Sequence, residues 1–271
     1  MPELPEVETI ARGLHNALVG KTIDRAVLLR PKVALYAGKR PFTEVLPGEE
    51  IVAVGRRGKH AVISFASGRA LVTHLRMTGR LVVQGPEAGP YHPYTNVALH
   101  FNDGDVLCFA DVRQFGRMRL VEPEEPWASE LGLEPLSEDF TPERLRAMLA
   151  GRTTPIKAWL LDQRRVAGIG NIYACEALWE AGIRPNRAAK SLSRPSILRL
   201  HHALRRVLLR SIEMRGTSVD DYVDAQGVQG GFQNELSVYG CEGKACRNCG
   251  RPIVRTVIAQ RGTWWCRSCQ R

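Results

Sequence analysis

Apolar positions recur at helical spacing at the start of the chain, where Val7, Ile10, Ala11, Leu14 and Leu18 share one face. Pro5 suits a first helical turn, and Glu6 and Glu8 suit its positive end, so the pattern predicts an N-terminal helix. The pattern then changes. Segments 22–29, 51–57, 60–65, 70–75, 81–84, 96–101 and 106–110 are short runs rich in Val, Ile, Leu and Phe. Arg57-Gly58, Ser67-Gly68, Thr78-Gly79 and Asp103-Gly104 fall between such runs as turn signals, and Asp-Gly between apolar runs marks a hairpin. Residues 1–121 are therefore expected to form an antiparallel sandwich or barrel with one helix.

Residues 122–140 carry seven acidic and no basic side chains, with Pro123, Pro126 and Pro135, and are expected to form a linker. Helical patterns resume at 141–150, 155–163, 172–182 and 195–215. Thr141 caps the first of these, with Pro142 at its first position. The last puts Ile197, Leu200, Leu204, Val207, Leu208 and Ser211 on one face. Arg199, Arg205, Arg206 and Arg210 fall mostly elsewhere, as a solvated face would. Residues 216–235, with four glycines, are expected to form a mobile loop, and such long loops are functional or disordered. The fold class expected is α+β multidomain: residues 1–121, a linker at 122–140, a helical domain at 141–235 and a cysteine-bearing hairpin at 236–271.

Charge sharpens this picture. The net charge of +10 points to a polyanion, most often nucleic acid. Residues 151–215 hold thirteen Lys/Arg against four Asp/Glu, so the grip is expected in the C-terminal half. The acidic, proline-containing start has neither the basic nor the apolar region of a secretory signal, and no apolar run approaches the ~20 residues of a membrane span. A cytoplasmic location is the expectation.

Three stretches carry chemistry. Removal of Met1 would make Pro2 the N-terminus, and its secondary amine, titrating near ~8, can attack a carbonyl carbon to form a Schiff base. Glu3 beside it can move a proton. Read alone, the same residues are an ordinary helix start. Secondly, Gly168-Ile169-Gly170-Asn171 follows Arg164-Arg165. Its glycines allow close backbone approach and Asn171 can cap the next helix, whose N-terminus would favour a phosphate. Thirdly, Cys246-x-x-Cys249 and Cys266-x-x-Cys269 are sixteen residues apart, the spacing of a four-cysteine zinc site. With every ligand position filled, that zinc is structural. Arg261, in the turn Gln260-Arg261-Gly262-Thr263 between the cysteine pairs, is expected to project towards DNA.

Together the Pro-Glu-Leu-Pro-Glu-Val-Glu start, the Gly-Ile-Gly-Asn-Ile-Tyr-Ala turn and the C-terminal finger resemble the formamidopyrimidine-DNA glycosylase family over essentially the whole chain. Arg113-Gln114-Phe115-Gly116 and the opening residues resemble it more than the related endonuclease VIII. The resemblance implies a β-sandwich, a helix–two-turns–helix domain with a lesion-capping loop at 216–235, and a zinc finger with one structural Zn2+. It implies excision of 8-oxoguanine and formamidopyrimidines from double-stranded DNA, then β,δ-elimination at the abasic site; one enzyme per lesion needs only a monomer, and no membrane partner is expected. Pro2 is implied as nucleophile, Glu3 as proton donor to the sugar and Glu6 as support of the N-terminus. Lys59 is implied in β-elimination and damage recognition, and Arg261 in δ-elimination. Met77, Arg113 and Phe115 would fill the gap left by the flipped base, and His92, Arg152, Lys157 and Asn171 would contact DNA. Gln114 departs from the family, many members of which have a second arginine there. Two other readings stand beside this one: an endonuclease VIII-like glycosylase for oxidised pyrimidines, and a zinc-ribbon DNA-binding protein without catalysis.

Overall fold

The apolar stripe at the start of the chain folds as α1 (Leu4–Leu18), with Leu4, Val7, Ile10, Ala11, Leu14 and Leu18 buried. The structure, a computed structural model, describes residues 1–271 except Lys39, Asp220, Asp221 and Gln226. The chain divides into two compact units, residues 1–129 with 214–231, and residues 130–213 with 232–271.

In the first unit α1 is followed by β1 (Ile23–Leu28), β2 (Ala34–Leu35), α2 (Phe42–Val45), β3 (Ile51–Arg57), β4 (His60–Phe65) and β5 (Ala70–His74). Then come β6 (Arg80–Gln84), β7 (Thr95–Phe101), β8 (Val106–Ala110) and β9 (Arg117–Val121). The seven expected strands are all present. β2 and β9 were not anticipated, and arginines at two of five positions hide the alternation of β9. Two sheets result, ordered β1-β7-β8-β6 and β2-β9-β5-β4-β3. Among the described residues, the strands of these two sheets pair antiparallel except β2 with β9. One core is shared by α1 and the inward residues of both sheets, including Ile63, Leu71, Leu99, Phe109 and Leu120, so the fold is sandwich-like.

Tyr222 and Ala225 enter this same core. That is why residues 214–231 group with the first unit and not with the helical residues that precede them. The expected linker is likewise divided, residues 122–129 falling in the first unit and 130–140 in the second. Glu122 is tied down by Tyr36 Oη at 2.6 Å and by Arg69 Nε at 3.0 Å.

The second unit contains α3 (Pro142–Leu149), α4 (Ile156–Leu161), α5 (Asn171–Glu180) and α6 (Arg194–Glu213), then the hairpin β10 (Val254–Ile258) and β11 (Arg261–Trp265). Thr141 Oγ1 accepts the Arg144 N–H at 3.1 Å and caps α3. Leu145, Trp159, Leu160, Ala174, Leu178, Leu200 and Leu204 form its core. The arginines of α6 are not simply solvated. Arg205 donates to the carbonyls of Pro135 and Ser137, Arg199 to that of Ala181, and Arg206 and Arg210 pair with Glu180 and Glu235. No helix among the described residues is long and apolar enough to cross a membrane.

Candidate functional site

Because α1 starts at Leu4, Pro2 and Glu3 lie at its open N-terminal end, both buried. The Glu6 carboxylate, 2% exposed, binds on both sides. Its Oε2 accepts the Glu3 N–H and its Oε1 accepts the Thr217 N–H, each at 2.8 Å. The residue next to Pro2 is thereby joined to the start of the glycine-rich segment. Gly216 permits the approach: its φ is +87°, and a Cβ there would sit 3.0 Å from Glu6 Oε1. Tyr222 Oη donates to the Arg215 carbonyl at 3.1 Å and closes the same turn. Residues 220, 221 and 226 of the expected lesion-capping loop lie outside the described residues.

Lys59 follows Gly58, at φ +58°, in the turn between β3 and β4, and is 7% exposed. Arg56 fastens this turn to α1, with Nε on Glu8 Oε2 at 3.0 Å and Nη1 on the Gly58 carbonyl at 2.9 Å. The rings of His60 and His74 meet edge-on, 4.7 Å apart. Burial, aided by His60, Arg76 and Lys59, pulls His74 down to about 3, so it is neutral at physiological pH. Its Nδ1 accepts the Arg76 N–H at 3.0 Å and holds that residue at φ +57°. His74 escaped the sequence reading because its signal is a cross-strand pairing with His60, which only the β4–β5 register reveals.

Met77, Arg113 and Phe115 are brought together. Arg113 Nη1 lies 3.3 Å from Met77 Sδ, and its guanidinium lies 4.7 Å from the Phe115 ring centroid. Met77 and Phe115 are 45% and 49% exposed and stand together with Arg113, and it is their grouping that suits a surface taking a partner. Close by, His92 lines a cavity of about 380 Å³ with Thr78, Arg80, Tyr94, Asp111 and Val112.

In the second unit Arg152 is exposed, at the start of the loop before α4. Lys157, expected to contact DNA, faces the hairpin. Its side chain is fully buried on the inner face of α4, and its Nζ donates to the Gly262 carbonyl at 3.0 Å and to Thr263 Oγ1 at 2.6 Å. Lys157 therefore braces the hairpin beside Arg261. Asn171 does not cap α5 either. Gly170 is the cap residue, Asn171 is the first helical residue, and its Nδ2 donates to the same Gly262 carbonyl at 3.0 Å. Gln163, not foreseen, shapes the glycine turn by accepting the Gly168 N–H at 2.9 Å and donating to the Ile169 carbonyl at 2.8 Å.

The hairpin turns at Ala259 and Gln260, both with positive φ, as tight two-residue hairpin turns require. Arg261 is consequently the first residue of β11, opposite Ile258, exposed, and set just before the carbonyl that Lys157 and Asn171 hold. The Sγ atoms of Cys246, Cys249, Cys266 and Cys269 all lie within 4.8 Å of one another. A zinc with tetrahedral bonds of about 2.3 Å separates its sulfurs by about 3.8 Å, and the Cys246–Cys269 and Cys249–Cys266 distances are 3.9 and 3.5 Å. The donor set fits one structural zinc. Trp179 Nε1 lies 3.5 Å from Cys246 Sγ and would orient that ligand from outside the coordination sphere.

Residues 1–118 match the family model described as formamidopyrimidine-DNA glycosylase N-terminal domain, residues 131–223 its H2TH domain, and residues 243–271 the zinc finger found in FPG and IleRS. The formamidopyrimidine-DNA glycosylase of Desulforamulus reducens is 45% identical over 276 residues, covering 100% of this chain and 99% of that one. Among solved structures, a mutant Lactococcus lactis FPG in complex with Fapy-dG containing DNA superposes with a TM-score of 0.92 at 36% identity, covering 100% of both chains. The Lactococcus lactis Fpg complex with abasic site containing DNA gives 0.91 at 36%, covering 99% of both chains.

Proposed function

We propose that this chain, which belongs to the formamidopyrimidine-DNA glycosylase family, removes oxidised purines from duplex DNA by base excision and then cleaves the strand at the abasic site. The observation that carries the reading is the N-terminus itself. Pro2 sits buried at the end of α1, beside Glu3, whose backbone is anchored by a carboxylate that also anchors Thr217. Such anchoring limits the ways a nucleophile can point, which is where much of an enzyme's rate advantage arises.

A base inside the stack is beyond reach, so the damaged nucleotide is flipped out, and Met77, Arg113 and Phe115 occupy the gap. With Met1 removed, the Pro2 nitrogen attacks C1′ of the sugar and the bond to the base breaks. Glu3 donates a proton to the ring oxygen as the sugar opens, leaving an iminium between Pro2 and C1′. Loss of a C2′ proton then expels the 3′ phosphate, a step assigned to Lys59. A second elimination expels the 5′ phosphate, with Arg261 in that role. Water hydrolyses the iminium and frees Pro2. His92, Arg152 and Asn171 serve the DNA backbone, Asn171 by way of the hairpin. The enzyme acts as a monomer in the cytoplasm, on the nucleoid when bound to DNA.

Borohydride reduction tests the reading. Met1-processed protein mixed with an 8-oxoguanine duplex should yield a covalent adduct mapping to Pro2 by mass spectrometry. No adduct, or one at another residue, overturns it. Faster cleavage of a thymine glycol duplex than of the 8-oxoguanine duplex would instead favour the oxidised-pyrimidine specificity.

A further inference from the structure

We propose that Asp111 is the positioning residue that sets both gap-filling loops at once. This inference rests on the reading of Met77, Arg113 and Phe115 as the residues that replace the flipped base. Met77 lies in the turn from β5 to β6, and Arg113 and Phe115 lie in the loop from β8 to β9. Both connections cross between the same two sheets, so two separate segments must hold three exposed side chains in one cluster.

Asp111 bridges them. Its side chain is buried, at 2% exposure. Oδ1 accepts the Thr78 hydroxyl from the first turn at 2.5 Å and the Arg113 N–H from the second at 3.1 Å. Oδ2 accepts the Gly116 N–H at 2.7 Å, at the far end of the second loop. The backbone of Asp111 is itself fixed, its N–H donating to the Tyr94 carbonyl and its carbonyl accepting Asn96 Nδ2, both at 3.1 Å. The loop is tightly built around it. Gln114 adopts φ +54°, and a Cβ at Gly116 would fall 2.6 Å from the Phe109 ring and 3.1 Å from Asp111 Oδ2. A carboxylate is the side chain that accepts from all three donors, since an asparagine would turn an NH2 towards one of them. Met77 and Phe115 gain nothing from standing in water, so their placement depends on the backbone beneath them, and that backbone converges on one carboxylate.

The test compares Asp111→Asn and Thr78→Val with Met77→Ala, Arg113→Ala and Phe115→Ala. Single-turnover excision is measured on an 8-oxoguanine duplex, and strand cleavage on a preformed abasic site in a single-stranded oligonucleotide, which has no gap to fill. Asp111→Asn should slow excision about tenfold or more, in the single-turnover rate constant at saturating enzyme rather than in the half-saturating enzyme concentration, while single-strand cleavage stays within about twofold, and joined to Arg113→Ala it should add little further loss. A 2-aminopurine opposite the lesion should lose the fluorescence rise that reports extrusion. Thr78→Val, which removes one donor without touching the carboxylate, should show a smaller loss of the same kind even if Asp111→Asn folds poorly. Wild-type excision in both Asp111→Asn and Thr78→Val, while Met77→Ala and Arg113→Ala are slow, overturns the role of Asp111. Equal losses on both substrates do so too, as that marks a scaffold defect. Wild-type excision in Met77→Ala, Arg113→Ala and Phe115→Ala would instead remove the gap-filling reading, and the proposal with it.

Discussion

Glu6→Gln isolates the carboxylate that joins the N-terminus to a segment more than two hundred residues away. Both of its oxygens accept a backbone N–H, from Glu3 and from Thr217, at 2.8 Å. Glutamine keeps the shape but offers one oxygen and one NH2. Whichever way the amide turns, one buried N–H faces another donor. Losing a hydrogen bond to a charged acceptor and stranding its donor costs about 2–3 kcal/mol. For a unit of roughly 150 residues that lowers the melting temperature by about 5–10 °C. The loosened end of α1 should also slow attack by Pro2, by about tenfold if the nitrogen strays from its line of approach. Scanning calorimetry reads the first effect, and the rate of borohydride trapping on an abasic-site duplex reads the second. Glu6→Ala, which strands both donors, should be worse in both assays. Unchanged melting with unchanged trapping in Glu6→Gln refutes the anchoring argument. Unchanged melting with slowed trapping would make Glu6 a carrier of protons and not an anchor.

Lys157→Met removes the ammonium that braces the Gly262–Thr263 segment, and should lower stability by about 2–3 kcal/mol. With Arg261 less well held, products on a denaturing gel should shift from the double-elimination form towards the single-elimination form; an unchanged product ratio would detach Lys157 from Arg261. Cys249→Ser should abolish zinc binding and DNA affinity together, by metal analysis and gel shift, and full affinity without zinc would contradict the structural role. Burial holds His74 near 3 and lowers His60 as well. Between that value and about 6.5 the unfolded chain binds protons that the folded chain refuses, so this stability is complete above about pH 6.5 and is lost as pH falls towards 3. The melting temperature should fall through that window more steeply in the wild type than in His74→Asn, and parallel profiles would count against it.

Local pattern determined much of this protein. The α1 stripe, seven strands with their glycine turns, the Thr141 cap and the paired cysteines were all legible, because each is written in residues a few positions apart. The family likeness rests on the same short stretches. Misreadings arose where a side chain's task depends on a distant partner. Lys157 belongs by type to a DNA-binding surface, yet its place on the inner face of α4 turns it onto a hairpin more than a hundred residues away. Asn171 stands one residue inside the helix it was expected to cap, and its amide serves that same hairpin. Glu6 looked like a favourable charge at a helix start, and so it is, but its second oxygen belongs to Thr217. Asp111 and His74 gave no signal, since their meaning lies in which loops and strands the sheets set side by side. Hydrophobic periodicity reports which face of an element is buried. Which groups then meet across the fold is decided by strand register and by the route of the connections, and those exist only once the chain has closed on itself.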